Sequence, residues 1–313
     1  MASHSSSRSR AGAGVAVPDQ VLLSLLGHLT DRDRSLVRLV AEHRVLTTGQ
    51  LCAMYFTNLT TARHRLAMLV RLGLLRRFRP RRDAGSAPGH YLLGPVGAAL
   101  LSAEDRDERK WLPQVRADRQ LALARSQRLA HITGANWFFA ALARHARTSG
   151  GKLTQWWGEQ ATAAWLEHAY VSGARLEVHP DGLGVWAQNG TDLAFVLEYD
   201  TGSEHLAQLT AKLDGYARPG GEHGYSNGPV SLPVLFCFPG PRREQSARRA
   251  LAAHPAASVL HIATAAIDPE HTSPAGPVWL PLAGQPERPM RLIDLGAVMP
   301  SGRPGGSRSA QQQ

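Results

Sequence analysis

The stretch Leu59–Arg82, LTTARHRLAMLVRLGLLRRFRPRR, decides how the first third of the chain is read. Leu66, Leu69, Val70 and Leu72 recur at helical spacing on one side, while Arg63, His64, Arg65 and Arg71 fill much of the other. Gly73 stops that helix, and the alternation from Leu74 to Arg79 reads as a short strand. Residues 80–89, PRRDAGSAPG, form a basic loop broken by glycine and proline, and His90–Leu93 is its return strand. A helix followed by a basic hairpin is the shape of a winged helix-turn-helix, which makes this stretch the candidate DNA reader.

Working outward, the preceding sequence supplies the other helices of such a unit. Pro18–Leu29 is a short amphipathic lead-in, and Thr30-Asp31-Arg32-Asp33 offers N-cap chemistry for a helix reaching about His43. Leu36, Val37, Leu39 and Val40 form its core face. Thr47 or Thr48 caps a second helix carrying Leu51, Met54, Tyr55 and Phe56. Thr57–Thr60 is the turn, and the third helix starts at Thr60 or Thr61. Residues near its N-terminus enter the major groove in this motif, so Thr60, Thr61, Arg63, His64 and Arg65 are the candidates for base or phosphate contact. Arg76, Arg77, Arg79, Arg81 and Arg82 lie along the hairpin, placed to follow phosphates or reach a minor groove. The alternative is that these arginines only solvate a unit used for protein contact. Gly94–Leu101 closes the unit as a helix behind the hairpin.

Composition agrees with a polyanionic partner. The 313 residues carry a net charge of +10 and a pI near 10.4, with 43% hydrophobic and 19% charged residues. That balance fits a soluble globular chain, and the length exceeds what one core usually organises. Charge alone does not separate nucleic acid from lipid headgroups. The excess is mostly arginine, which forks onto phosphate and guanine edges, although GC-rich coding also raises Ala, Arg and Gly. Cys52 and Cys237 are the only cysteines, which argues against a disulfide scaffold or a cysteine-based zinc site and predicts the reducing cytoplasm. The apolar run Val21–Leu26 is far too short to span a bilayer, so no membrane partner is expected.

The second half changes texture. A helical pattern runs from about Gln114 to Ser149, with Gly134 placed to kink or split it, and Gly150-Gly151 ends it. Strands are expected at Leu153–Trp157, Ala174–Val178, Gly184–Ala187, Asp192–Tyr199, Pro233–Phe238 and Ser258–Ala263. Helices are expected at Glu204–Tyr216 and Arg242–Ala253. Val278–Leu282 and Met290–Leu295 read as edge elements. Strands joined by helices imply an α/β domain with a mixed sheet. The organisation is a disordered basic tail (1–18), a winged helix-turn-helix (19–103), a connecting helix (104–150), an α/β domain (151–268) and an irregular extension with a low-complexity tail (269–313). Overall this is an α/β (α+β) chain.

One constellation there carries chemistry: His179-Pro180-Asp181-Gly182, then Glu198-Tyr199-Asp200, then Lys212. A helix, a strand opening with Asp, and a Glu on the next buried strand is the order of PD-(D/E)xK nucleases, a restriction-endonuclease-like fold. Carboxylates on adjacent strands can share Mg²⁺, and a nearby lysine can orient water or stabilise a transition-state phosphate. Asp181, Glu198 and Lys212 are the catalytic candidates, with Asp181, Glu198 and Asp200 as metal ligands. Asp200 occupies the position where that order has lysine, so Lys212 would supply the ammonium from the following helix. The plainer alternative is a tight Pro-Asp-Gly turn and a strand end followed by a helix cap. Against it, a Glu ending an apolar strand needs a partner or a metal. Glu159 reads as the cap of its helix. Phosphate-loop, HExxH, paired-histidine and serine-elbow motifs are missing from the sequence.

The layout resembles the replication-relaxation proteins of actinobacteria and their plasmids. The resemblance rests on Leu29–Asp33, Leu46–Leu51, Arg63-His64-Arg65-Leu66 with Leu69 and Leu72–Leu75, Pro180-Asp181-Gly182, Phe195–Glu204, and Lys212-Leu213 with Tyr216. It covers Leu29 to Ala263, and the Glu198-x-Asp200-x-Gly202-x-Glu204 run is its most specific part. It implies a part in plasmid replication, relaxation or mobilisation, with a winged helix for docking on double-stranded DNA and replication or mobilisation proteins as partners. A Mg²⁺-dependent endonuclease and a winged-helix transcriptional regulator are the alternatives.

Overall fold

The computed structural model describes residues 27–81, 85–104, 122–124, 126, 128–169, 178–217, 232–284 and 288–299, with the side chains of 167–169 excepted. Both expected tails, most of the lead-in, Arg82, the start of the connecting helix and nearly all of the strand expected at Ala174–Val178 fall outside these residues.

The first helix, α1 (Asp31–Glu42), begins where Thr30 and Asp33 exchange side-chain and backbone hydrogen bonds in a capping box. Thr47 and Gln50 repeat the device for α2 (Thr48–Tyr55), after a two-residue strand β1 (Leu46–Thr47). The third helix, α3 (Leu59–Arg71), starts one or two residues earlier than expected. Its cap is Asn58, whose Oδ1 accepts from the Thr61 N–H at 2.9 Å. Gly73, at φ +71, ends the helix in a conformation that favours glycine. Strands β2 (Leu75–Phe78) and β3 (His90–Leu93) then pair antiparallel from Leu75↔Leu93 to Phe78↔His90, and β1 adds to the far side of β3. The closing helix is α4 (Pro95–Glu104). Leu36, Val40, Leu51, Leu66, Leu69, Tyr91 and Leu101 meet in one apolar core beneath them.

The long helix α5 (Arg128–Ser149) joins this unit to the rest. It is unbroken through Gly134, contrary to the expected kink. A Cβ at Gly134 would lie 2.1 Å from Cε1 of Tyr199, so the glycine admits that ring. On its other side α5 grips the first unit. Gln50 Nε2 donates to the Thr133 carbonyl at 2.7 Å, Asn136 Nδ2 to the Val45 carbonyl at 2.8 Å, and Arg147 to the Ala53 carbonyl at 2.9 Å. His43 stacks on Trp156 at 3.6 Å between ring centroids.

After α5 come β4 (Lys152–Gly158), α6 (Glu159–Ala169), β5 (Gly182–Gln188), β6 (Thr191–Tyr199), α7 (Leu206–Ala217), β7 (Val234–Phe238), α8 (Pro241–Ala252), a 3₁₀ turn (Pro255–Ser258), β8 (Ile262–Ala266), β9 (Pro277–Pro281), β10 (Met290–Arg291) and α9 (Leu295–Val298). The strands form one mixed sheet in the order β10-β9-β8-β7-β6-β5-β4, parallel only at β6–β7 and β7–β8. This is the expected α/β class. The sheet continues past residue 268, because β9 pairs with β8 and β10 with β9. The last expected inner strand is shifted, since Pro255–Ser258 is a 3₁₀ turn and β8 starts at Ile262.

Strand β6 is apolar from Leu193 to Leu197 because both faces are covered there. Leu193, Phe195 and Leu197 pack against Phe138, Phe139 and Leu142 of α5, while Ala194 and Val196 meet Leu209 and Leu213 of α7 and Leu251 of α8. Among the described residues no helix is long and apolar enough to cross a membrane.

The Gly134–Tyr199 contact gives a direct check. Gly134→Ala gains about 1 kcal/mol of helix propensity, but overpacking against the anchored ring costs ~1–3 kcal/mol. The variant should therefore unfold at lower denaturant than the parent, and Tyr199→Leu should restore part of the loss. A neutral or stabilised Gly134→Ala protein would contradict this packing.

Candidate functional site

At the end of β6, Glu198 sits in the middle of the sheet and is 2% exposed. Its Oε2 accepts from Lys212 Nζ at 2.9 Å and its Oε1 from the Tyr216 hydroxyl at 2.5 Å. Both donors come from α7, and their i,i+4 spacing places them on one face of that helix. Lys212 also reaches Glu204 at 3.2 Å. Burial pushes the Glu198 carboxyl up to about 7, against the Lys212 ammonium, which pulls it down. Burial works to discharge Lys212, but Glu198 and Glu204 outweigh it and hold the amine above its ordinary range. With two carboxylates this close, Lys212 faces Glu198 as an ammonium.

Asp181 immediately precedes β5. Its N–H donates to the Leu197 carbonyl at 2.9 Å, one step from the Gly182↔Leu197 pair, so it lies across from Glu198. Its Oδ1 is 2.5 Å from His131 Nε2 of α5, and its Oδ2 accepts from the Tyr199 N–H at 2.7 Å. Burial alone would lower the His131 pKa, but the Asp181 carboxylate more than offsets it and the imidazole rises above its usual value. Asp200, two residues beyond Glu198, is also buried. Its Oδ1 accepts from the Gly202 N–H at 2.7 Å and its Oδ2 from Arg243 Nε at 2.6 Å.

The expected trio Asp181, Glu198 and Lys212 is thus brought to one end of β5 and β6, while Asp200 is turned to Arg243. A hard divalent cation wants several carboxylate oxygens free to converge on it. Here all six oxygens of Asp181, Glu198 and Asp200 already accept from a protein donor. Among the described residues no group of three or more His, Cys, Asp or Glu is gathered for a metal. As arranged, the residues do not fit Mg²⁺. Glu159 opens α6 as expected, but it also pairs with Arg44 at 3.3 Å and Arg128 at 2.9 Å.

The first unit presents a different surface. Thr60, Thr61, Arg63 and His64 are exposed on α3, and Arg76, Arg77, Arg79 and Arg81 are exposed on the hairpin. A cleft of about 570 Å³ lies between helix and hairpin, lined by Arg63, His64, Arg77, Arg79 and Tyr91, with Glu270 of the sheet half at its border. Arg65 is turned inward, where its Nε donates to the buried Asp33 at 2.8 Å. Burial would raise the Asp33 carboxyl, but Arg65 and the Thr30 cap hold it below its ordinary range.

Sequence reasoning passed over His131, Arg243 and the site role of Tyr216. Tyr216 carried a usable signal, since it stands one helical turn from Lys212. His131 and Arg243 carried none, because their partners lie 50 and 43 residues away in sequence.

Removing the Lys212 ammonium leaves Glu198 buried with only a phenol, so Lys212→Met should cost ~3 kcal/mol in denaturant unfolding. The double variant Glu198→Leu/Lys212→Met should recover much of that. A Lys212→Met cost below ~1 kcal/mol, the range of exposed pairs, would rule out a structural ion pair.

Comparison with known proteins adds one finding. A search of curated proteins gives no match. The family model described as replication-relaxation matches residues 37–230, a span from within α1 through α7. That is well over half of the chain and includes the cleft, Asp181 and the Glu198–Lys212–Tyr216 cluster, and the family's description points to a replication-related role. The chain belongs to the replication-relaxation family.

Proposed function

We propose that this protein docks on double-stranded DNA through a winged helix made of α1 to α4 and the β2–β3 hairpin, as an accessory of plasmid replication or mobilisation. The observation that carries the reading is the cleft between α3 and the hairpin, with Arg63 and His64 on one wall and Arg77 and Arg79 on the other. A helix whose N-terminal half is exposed and basic suits the major groove, and a basic hairpin beside it suits the flanking phosphates. The net charge of +10 supplies long-range attraction to such a partner. A DNA partner and two free thiols fit the cytoplasm.

On this reading the sheet half is a nuclease-like scaffold that does not cleave. Its support is that every oxygen of Asp181, Glu198 and Asp200 is engaged by a donor, from His131, Lys212, Tyr216, Arg243 and two backbone N–H groups. The endonuclease reading has one observation in its favour, the convergence of Asp181, Glu198 and Lys212 at one strand end. Supercoiled DNA incubated with Mg²⁺ or Mn²⁺ separates the two. The scaffold reading predicts no nicking, and nicking abolished by Asp181→Ala would establish the enzyme instead.

Docking itself is measured by mobility shift across salt concentrations. Log affinity should fall linearly with log salt, with a slope near −0.9 per phosphate contact. Arg63→Ala, Arg77→Ala and Arg79→Ala should each weaken binding, and loss of a phosphate contact should reduce the slope by about 1. Affinity indifferent to salt, or unchanged in the triple variant, would sink the docking surface.

A further inference from the structure

The helix α3 has two working faces. Ala62, Leu66 and Leu69 enter the core, whereas Leu59, Arg63 and Ala67, spaced one turn apart, line the cleft opposite Arg77 and Arg79. Leu59 is the first residue of that helix, directly after the Asn58 cap, where helix formation asks for nothing apolar. It is 45% exposed, one of three large hydrophobic residues left exposed among those described. The other two, Val259 and Val298, do not line the cleft. A singly exposed leucine is ordinary on a surface. Its position is what singles this one out: an apolar tip at the leading end of the helix, in a cleft that also holds Arg63, His64, Arg77 and Arg79, with Glu270 from the sheet half.

Along the major-groove edges of duplex DNA, the group that such a tip matches is the thymine C5-methyl. We propose that Leu59 is a specificity-determining residue that packs on a thymine methyl in the major groove, an inference that rests on the docking reading above. Arg63 stands about 6 Å further along the helix axis, four residues at ~1.5 Å each. Its guanidinium suits the O6 and N7 acceptors of guanine. The ligand is therefore duplex DNA carrying a thymine within about two base-pair steps of a guanine, with Leu59 and Arg63 reading one each.

The test begins by selecting bound sequences from a random duplex pool with the full-length protein. The best duplex is then resynthesised with each thymine replaced singly by deoxyuridine, which removes only the methyl. One replacement should weaken binding about fourfold, the worth of one buried methyl. Leu59→Ala should bind the thymine and uracil forms of that duplex equally, and Leu59→Met should restore the preference. A flat uracil scan, a preference that survives Leu59→Ala in full, or a selection that enriches no sequence would each overturn the assignment. In those cases a salt-dependent shift weakened by Arg77→Ala would leave the docking reading standing. A protein that binds no duplex at all would remove both.

Discussion

A carboxylate buried in an inner strand of a sheet is tolerable only when its charge is answered on the spot. Uncompensated, such an ion costs several kcal/mol, roughly the whole stability of an ordinary domain. Glu198 is answered by Lys212 and Tyr216, two donors one turn apart on α7. Because both must reach one carboxylate, they fix how α7 is rotated and seated on the sheet. Lys212 then draws in Glu204, and Arg243 of α8 ties the next carboxylate, Asp200, to the Glu204 carbonyl. The end of the sheet that looks chemically most active is in this sense its clamp.

The helical unit is held to that sheet with similar economy. Helix α5 gives Phe138 and Phe139 to the sheet core, and Gln50, Asn136 and Arg147 make bonds between it and the first unit. Two of these bonds end on backbone carbonyls of the first unit, at Val45 and Ala53, and the third is donated by the Gln50 side chain of α2 to the Thr133 carbonyl, so together they fix the position of α2. Neighbouring α3 and the hairpin are carried along, and the cleft between them keeps a set orientation to the rest of the molecule. If the cleft docks on DNA as proposed, a fixed surface binds without first being ordered, which lowers the entropic cost of association.

Much of the architecture is legible in the sequence because local chemistry dictates it. The capping boxes at Thr30 and Thr47, the stop at Gly73 and the apolar run of β6 all act over a few residues. Two departures have different causes. Thr57, Asn58 and Thr60 are all competent caps, and Asn58 takes the place, one or two residues before the expected start. Gly134 breaks nothing, because Tyr199 fills the space that its missing side chain leaves. Strands β9 and β10, read as edge elements, do join the sheet beyond β8, with β10 outermost. The site divides in the same way. Glu198 stood out as a carboxylate on an apolar strand, and Lys212 followed from the next helix. That Asp181 rests on His131, and Arg65 on Asp33 instead of facing outward, depends on contacts 50 and 32 residues apart.

On the proposed reading the two halves divide the labour: the arginine cleft meets the partner, and the carboxylates hold the fold. Hydrogen exchange of the full-length protein, with and without a duplex it binds, tests that division most directly. Added protection should concentrate in residues 59–67 and 76–81 and leave residues 198–216 unchanged. Protection centred on Asp181 and Glu198, with the cleft unaffected, would contradict it.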